Sequence, residues 1–213
     1  MNMIASVLHL DRKAVKVLRI TDPYSLHRVV YSLYEDARDA GQKNISQTSG
    51  ILFADQGGGF NGRCILMLAN RQPAACVDGQ HGQVQSKTIP DHFLTHARYR
   101  FKVVVNPTRR DNASRKLMPI KGREAIAEWF VERAPKWGFS VSPAHLQVDN
   151  VDVLRFNDKH QHRVTICQAH IQGQLSITDH SLFRNSFTRG IGRAHTFGCG
   201  LLQIVPFIDN PFA

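Results

Sequence analysis

Residues 163–205 read RVTICQAHIQGQLSITDHSLFRNSFTRGIGRAHTFGCGLLQIV. The first part, 163–177, is rich in β-branched and apolar residues over a length that suits a strand. Asp179 opens a helical stretch over 179–188, and the apolar run 201–205 supplies a closing strand. Between helix and strand lies a loop with glycines at 190, 192, 198 and 200. Gly190, Gly192, Gly198 and Gly200 let the backbone turn sharply and approach another backbone closely. Arg189, Arg193 and His195 place positive or protonatable groups in the same loop. Successive N–H groups in such a turn can form a concave anion site, with phosphate as the natural anion. The same loop could equally do no more than pack a helix against a strand. It is not a nucleotide-binding loop of the usual kinds, because the helix precedes it and no Gly-Lys-Ser/Thr ends it.

Working outward, residues 98–105 (RYRFKVVV) alternate cationic and apolar side chains, as a strand with one wet face and one core face does. A helix over 122–136 follows, buried through Ile126, Trp129, Phe130 and Ala134, and then a strand over 146–156. With 163–177, the helix at 179–188 and the last strand, this half reads strand–helix–strand–strand–helix–strand, a split β-α-β arrangement. The first half repeats the pattern less clearly. Residues 3–10 look like a strand, and Thr21-Asp22-Pro23 announces a helix whose stripe runs through Leu26, Val29, Val30, Leu33 and Ala37. Residues 50–54 and 62–69 read as a hairpin around Gly57–Gly59, and a second helix is barely visible. Residues 70–92 are polar and poorly periodic, so a loose segment and the domain boundary are expected there. The expected fold is α+β, with two βαββαβ domains in tandem over 1–92 and 93–213.

Composition narrows the partner. Lys and Arg number 27 against 17 acidic residues, a formal charge of +10. For a soluble chain of this charge, nucleic acid is the commonest polyanionic partner. With 42% hydrophobic residues the chain can build a real core, which excludes a disordered basic tail. Cys64, Cys76, Cys167 and Cys199 are scattered without a Cys-x-x-Cys pair, which suits reduced thiols better than a disulfide framework or a zinc site. No signal-peptide pattern and no stretch near 18 apolar residues is present, so a cytoplasmic location is expected.

Three places offer chemistry. On the first helix Leu26, Val29 and Leu33 define the buried stripe, which leaves Tyr24, His27 and Tyr31 together toward its edge. His27 lies in the opening turns, where the helix dipole disfavours an imidazolium, and a neutral imidazole can accept a proton. RNA brings its own nucleophile, the ribose 2′-hydroxyl, so its cleavage needs proton transfer and alignment rather than a metal. The bland reading is a partly packed surface histidine. The second place is residues 98–123, where Arg98, Arg100, Lys102, Arg109, Arg110, Arg115, Lys116, Lys121 and Arg123 accompany a single acid, Asp111. A basic hairpin of that kind follows a phosphate backbone, supplying affinity and salt dependence without reading sequence. The third, His160 and His162 beside Lys159, could share a metal but has no third ligand at a useful spacing. No metal and no cofactor is expected.

Together, Asp22-Pro-Tyr24-Ser-Leu-His27-Arg28, Val103-Val-Val-Asn106-Pro107 with its basic loop, and the glycine loop ending Leu201-Leu202 resemble a known family. The chain resembles, over nearly its whole length, the CRISPR repeat-cleaving endoribonuclease of the type I-E interference complex, the CasE subunit of Cascade. The resemblance implies tandem ferredoxin-like (RRM-like) domains and metal-independent cleavage of the repeat hairpin of precursor CRISPR RNA. In that reaction the 2′-hydroxyl attacks the adjacent phosphate, leaving a 2′,3′-cyclic phosphate. It implies that His27 transfers protons, that Tyr24 positions the scissile group, and that the basic segment, Arg115 and Lys116 foremost, holds the stem. It also implies retention of the product RNA as a subunit of the complex. Two positions depart from the family pattern: Ser32 and His195 stand where relatives have lysines. A non-catalytic RNA-binding module, or a structural subunit of an RNA–protein assembly, would share the basic strand and glycine loop without needing Tyr24 and His27.

Overall fold

The structure is a computed structural model and describes residues 3–35, 49–59, 62–158 and 161–207. These fall into two compact units, one from residues 1–89 with Thr196–Gly198, the other from residues 90–195 with 199–213.

The first unit contains β1 (Ile4–Leu10), α1 (Arg12–Val17), α2 (Pro23–Ser32), β2 (Ile51–Gly59), β3 (Gly62–Ala69) and β4 (Gln83–Thr88). Its sheet has the order β2-β3-β1-β4, antiparallel throughout, with Leu8 opposite Ile65 and Val7 opposite Gln85. That is the strand order of a ferredoxin-like domain. Leu8, Leu10, Leu26, Val30, Phe53, Ile65 and Met67 belong to a mainly aliphatic core against which α2 lays its Leu26/Val29/Val30 stripe. Ala37, expected on that stripe, lies outside the described residues.

Two expectations for this unit are corrected. The segment expected to be loose contains β4, an edge strand whose side chains are exposed except for half-buried Val84, so no apolar alternation betrays it. Between β3 and β4 no helix forms among the described residues. The chain instead passes through a turn bridged at Val77 and His81, with buried Val77 filling the core, and Ala74 N–H donates to the Leu33 carbonyl at 2.7 Å. A helix absent from the sequence reading, α1, is capped by the Asp11 carboxylate, which accepts from Ala14 N–H at 2.6 Å.

The second unit contains β5 (Arg98–Val105), β6 (Thr108–Arg110), β7 (Leu117–Pro119), α3 (Arg123–Arg133), β8 (Phe139–Ser140), β9 (Leu146–Asn157), β10 (Arg163–Ile177), α4 (His180–Arg189) and β11 (Gln203–Pro206). The sheet runs β11-β5-β10, with β8 and β9 both pairing along the far side of β10. The ferredoxin-like order therefore recurs, with both crossover helices present. Its core is aromatic: Phe101 stacks on Phe130 with centroids 5.6 Å apart and rings within 7° of parallel, while Phe183 packs on Tyr99 and meets Phe139 edge to face. The Tyr99 hydroxyl donates to the Phe93 carbonyl at 2.7 Å, so its burial leaves no unmet donor.

The helix expected over 122–136 ends at Arg133 and tightens into a 3-10 turn, Ala134–Trp137, where Pro135 has no N–H to continue an α-helical ladder. Gly138 follows at φ +84°, and a Cβ there would lie 2.3 Å from the Phe183 nitrogen, so only glycine fits. The apolar run expected as the last strand is divided. Leu201 and Leu202 are buried by packing, and ladder pairing begins at Gln203. The four cysteines are free, and burial pushes the Cys199 thiol up to about 12. Among the described residues no helix is long and apolar enough to cross a membrane.

Candidate active site and nucleic-acid interface

In the first unit the start of α2 is defined by a reciprocal cap. The Asp22 carboxylate accepts from Ser25 N–H at 2.7 Å, the Ser25 hydroxyl oxygen accepts from Asp22 N–H at 3.0 Å, and Pro23 presets the first helical φ. The helix register beyond it is thereby set. With Leu26, Val29 and Val30 turned into the core, Tyr24, His27 and Tyr31 lie together at the edge of that stripe, Tyr31 packing against the core. The half-buried His27 ring lies 4.1 Å from Tyr31 and 6.1 Å from Tyr24, centroid to centroid. Its Nδ1 is buried.

The Tyr31 hydroxyl shares a 2.8 Å hydrogen bond with Ser49 Oγ, and Arg71 donates to the Ser49 carbonyl at 3.0 Å. Tyr31 is therefore anchored at its far end while its ring backs the imidazole. Another neighbour is Phe197, whose ring lies 6.0 Å from His27. The sequence reading passed over Phe197. The available signal was an aromatic residue flanked by glycines in a loop that carries two cations. Next to it Gly198 adopts φ +81°, and a Cβ there would stand 3.3 Å from the Phe53 ring. Ser32 is exposed and its hydroxyl donates to its own helix, to the Val29 carbonyl at 3.0 Å.

The glycine loop is otherwise part of the second unit. Gly190, Gly192, Gly198 and Gly200 all have positive φ. Gly200 N–H donates to the Val104 carbonyl at 2.7 Å and its own carbonyl accepts from Ile191 N–H at 3.0 Å. Arg189 and Arg193 are exposed. His195 faces inward: its ring packs on Gly200 and its Nε2 is 3.3 Å from the Ile191 carbonyl oxygen. Burial lowers its pKa below the ordinary histidine value, only partly offset by hydrogen bonds to the loop backbone. The ring is thus a neutral brace at neutral pH.

The basic hairpin β6–β7 pairs Arg109 with Met118 and Arg110 with Leu117. At its tip the Asp111 carboxylate accepts from the Ser114 hydroxyl at 2.7 Å and from Ser114 N–H at 2.8 Å, which holds its pKa below the usual carboxylate range. The turn needs Arg115 at φ +58°, and Arg110 donates to the Arg115 carbonyl at 2.9 Å. The lone acid of the segment is thus engaged in shaping the turn, which leaves Arg109, Arg115, Lys116 and Lys121 exposed beside exposed Leu117 and Met118.

On β5 the picture differs. The guanidinium groups of Arg98 and Arg100 each lie 5.3 Å from the Phe207 ring centre, and Lys102 is exposed on the same strand face. His162 pairs with Asp158 at 3.4 Å, whereas Lys159 and His160 lie outside the described residues. Among the described residues no cluster of three or more His, Cys, Asp or Glu side chains could hold a metal.

A family model described as CRISPR associated protein matches residues 3–206. No curated protein matches the chain in sequence. Among solved structures, that of Thermus thermophilus Cse3 bound to an RNA representing a pre-cleavage complex is 20% identical, with a TM-score of 0.78 over 97% of this chain and 100% of that one. The CRISPR-associated protein Cas6e from Escherichia coli K-12 is 18% identical, with a TM-score of 0.63 over 96% of this chain and all of that one. A subunit of a CRISPR RNA-guided surveillance complex is 23% identical, with a TM-score of 0.66 over 96% of this chain. Strand order and full-length superposition agree on two ferredoxin-like domains in tandem, and the chain belongs to the CRISPR-associated protein family.

Proposed function

We propose that the protein is a CasE-type endoribonuclease of a type I-E CRISPR system. It cleaves the repeat stem-loop of precursor CRISPR RNA without a metal and keeps the product as a subunit of a Cascade-type complex. The observation that carries this reading is His27, with the Tyr31 ring at 4.1 Å and the Phe197 ring at 6.0 Å, just inside a tightly capped helix start. A half-buried imidazole so framed suits proton transfer, since its orientation is set by packing before substrate arrives.

In the reaction the ribose 2′-oxygen bonds to the neighbouring phosphorus while the bond from phosphorus to the 5′-oxygen breaks. The proton lost by the 2′-hydroxyl is balanced by one delivered to the departing 5′-oxygen, giving a 2′,3′-cyclic phosphate and a 5′-hydroxyl. His27 serves one of these transfers, and one imidazole is competent for either. Tyr24 positions or polarises the scissile phosphate. Arg109, Arg110, Arg115 and Lys116 on the hairpin, with Lys121, Arg189 and Arg193, hold phosphates of the stem. Those contacts do not depend on the bond that is cut, so the product stays bound. Arg98 and Arg100 contribute their charge to the same field while stacked on Phe207.

The test is incubation of the protein with repeat RNA in excess EDTA, beside His27→Ala. A single cut ending in a cyclic phosphate, lost in the variant, is the expected result. Tight binding without a cut would make the protein a non-catalytic RNA-binding subunit, and a cut that EDTA abolishes would overturn the metal-free mechanism. RNA carrying 2′-deoxyribose at the cut site should bind and remain whole.

A further inference from the structure

The chain has two tryptophans, and both line one cavity of the second unit, with a volume of about 480 Å³. Arg110 of the hairpin, Arg133 at the end of α3 and Arg193 of the glycine loop line it too, and among the described residues no carboxylate does. Three guanidinium groups around one concavity repel each other unless an anion enters. The wall behind them is aromatic. Trp129 and Trp137 meet edge to face at 6.1 Å, and the Arg133 guanidinium lies 5.2 Å from the Trp129 ring centre. Trp129 is only 8% exposed, and its indole N–H is buried with no hydrogen-bond partner among the described residues. Cationic rim and aromatic wall together describe a nucleoside phosphate better than a bare anion.

We propose that this cavity takes one unpaired nucleotide of the bound RNA where it leaves the stem, with Arg133 on its phosphate, Arg110 and Arg193 reaching across from the last stem phosphates, and Trp137 against its base. The volume is within the range of small-ligand pockets, about 300–1,000 Å³, and far too small for a base-paired stem. A single base splayed from the stem and stacked on an aromatic side chain is a common way for proteins to read unpaired RNA. The proposal rests on the reading that the protein binds a repeat stem-loop, and it adds a nucleotide outside the paired stem to what is recognised.

Because the chain's tryptophans both line this cavity, intrinsic fluorescence reports on it directly. The full chain is titrated with a blunt stem-loop RNA and with the same stem-loop bearing one unpaired nucleotide at its 5′ or 3′ end. The extended RNA is expected to quench the emission and bind about tenfold tighter than the blunt one. Arg133→Gln and Trp137→Leu should each remove that difference while leaving blunt-stem affinity intact. Arg133→Gln serves as the independent check should Trp137→Leu unsettle the aromatic core. Equal affinity for both RNAs with no difference in fluorescence would overturn the proposal, as would a difference that survives both substitutions.

Adenosine monophosphate, adenosine and inorganic phosphate are titrated alongside. Quenching by phosphate as strong as by the nucleotide would reduce the site to an anion hole and overturn the proposal. If no stem-loop binds, the repeat-RNA reading fails by itself. Selective quenching by the monophosphate would then preserve the nucleotide site, and its absence would end both.

Discussion

The two units share one strand order and close it differently. The second lays two crossover helices, α3 and α4, over an aromatic core of Phe101, Phe130, Phe139 and Phe183. The first packs α2 on a mainly aliphatic core and, among the described residues, replaces the second helix with a turn around Val77. The helix starts differ as well. α2 opens with a reciprocal Asp22/Ser25 cap, while α3 opens at Gly122 with no side-chain cap at all. The lesson is that a repeated scaffold can divide its labour. The unit whose first crossover helix opens on the reciprocal Asp22/Ser25 cap holds the imidazole and its ring neighbours. The other packs through aromatic stacking and bears a basic hairpin, β6–β7, inserted between β5 and α3.

That division can be broken from either side. The largest effect is expected from His27→Ala, which should slow single-turnover cleavage about 1,000-fold while RNA affinity stays within a few-fold. A large loss of affinity with residual cleavage would remove His27 from the chemistry. Phe130→Ala should cost about 3–5 kcal/mol in urea unfolding, since it removes the ring stacked on Phe101 and leaves a cavity. Arg115→Ala with Lys116→Ala should weaken RNA binding about tenfold near physiological salt. The same pair should lower the slope of log affinity against log salt by about 2, with cleavage at saturating protein nearly unchanged. Unchanged salt dependence would mean the hairpin does not touch phosphate. Asp22→Ala should cost about 1 kcal/mol of stability and lower the cleavage rate more than the affinity, because the cap sets the register of His27.

The smallest effect concerns pH. His195 has a folded pKa below its unfolded value of about 6.5, so the unfolded chain binds the extra proton first. Its contribution to stability is fully present above about 6.5 and is lost as pH falls through the folded pKa. The melting temperature should therefore drop between pH 7 and pH 5, by less than about 4 °C from this group. His195→Gln should flatten that part of the curve, and an identical pH profile in the variant would show that the ring is not the titrating group.

Much of this was legible beforehand, and the reasons are local. β5 and β10 were read to the residue because alternation and β-branching are visible within a few positions. The α2 start was read from Asp22-Pro23, and the shared face of Tyr24, His27 and Tyr31 from helical spacing alone. β4 was missed because its partner on β1 satisfies its backbone while its side chains stay in water. The inward turn of His195 was missed because a charged-looking loop gives no hint that one ring will pack on Gly200.

By itself, then, the sequence determined the main strands and helices of the second unit and their order, the basic hairpin and the helix face that bears His27. Each of these depends on residues two to four apart, or on charge that can be summed without coordinates. Only the tertiary structure decided that Phe197 would stand beside His27 across 170 positions of chain, that β4 would complete the first sheet, and that Trp129, Trp137 and three arginines would share one cavity. Those are meetings of residues far apart in sequence, set by sheet register and by glycine turns, and no local pattern encodes which distant side chain arrives.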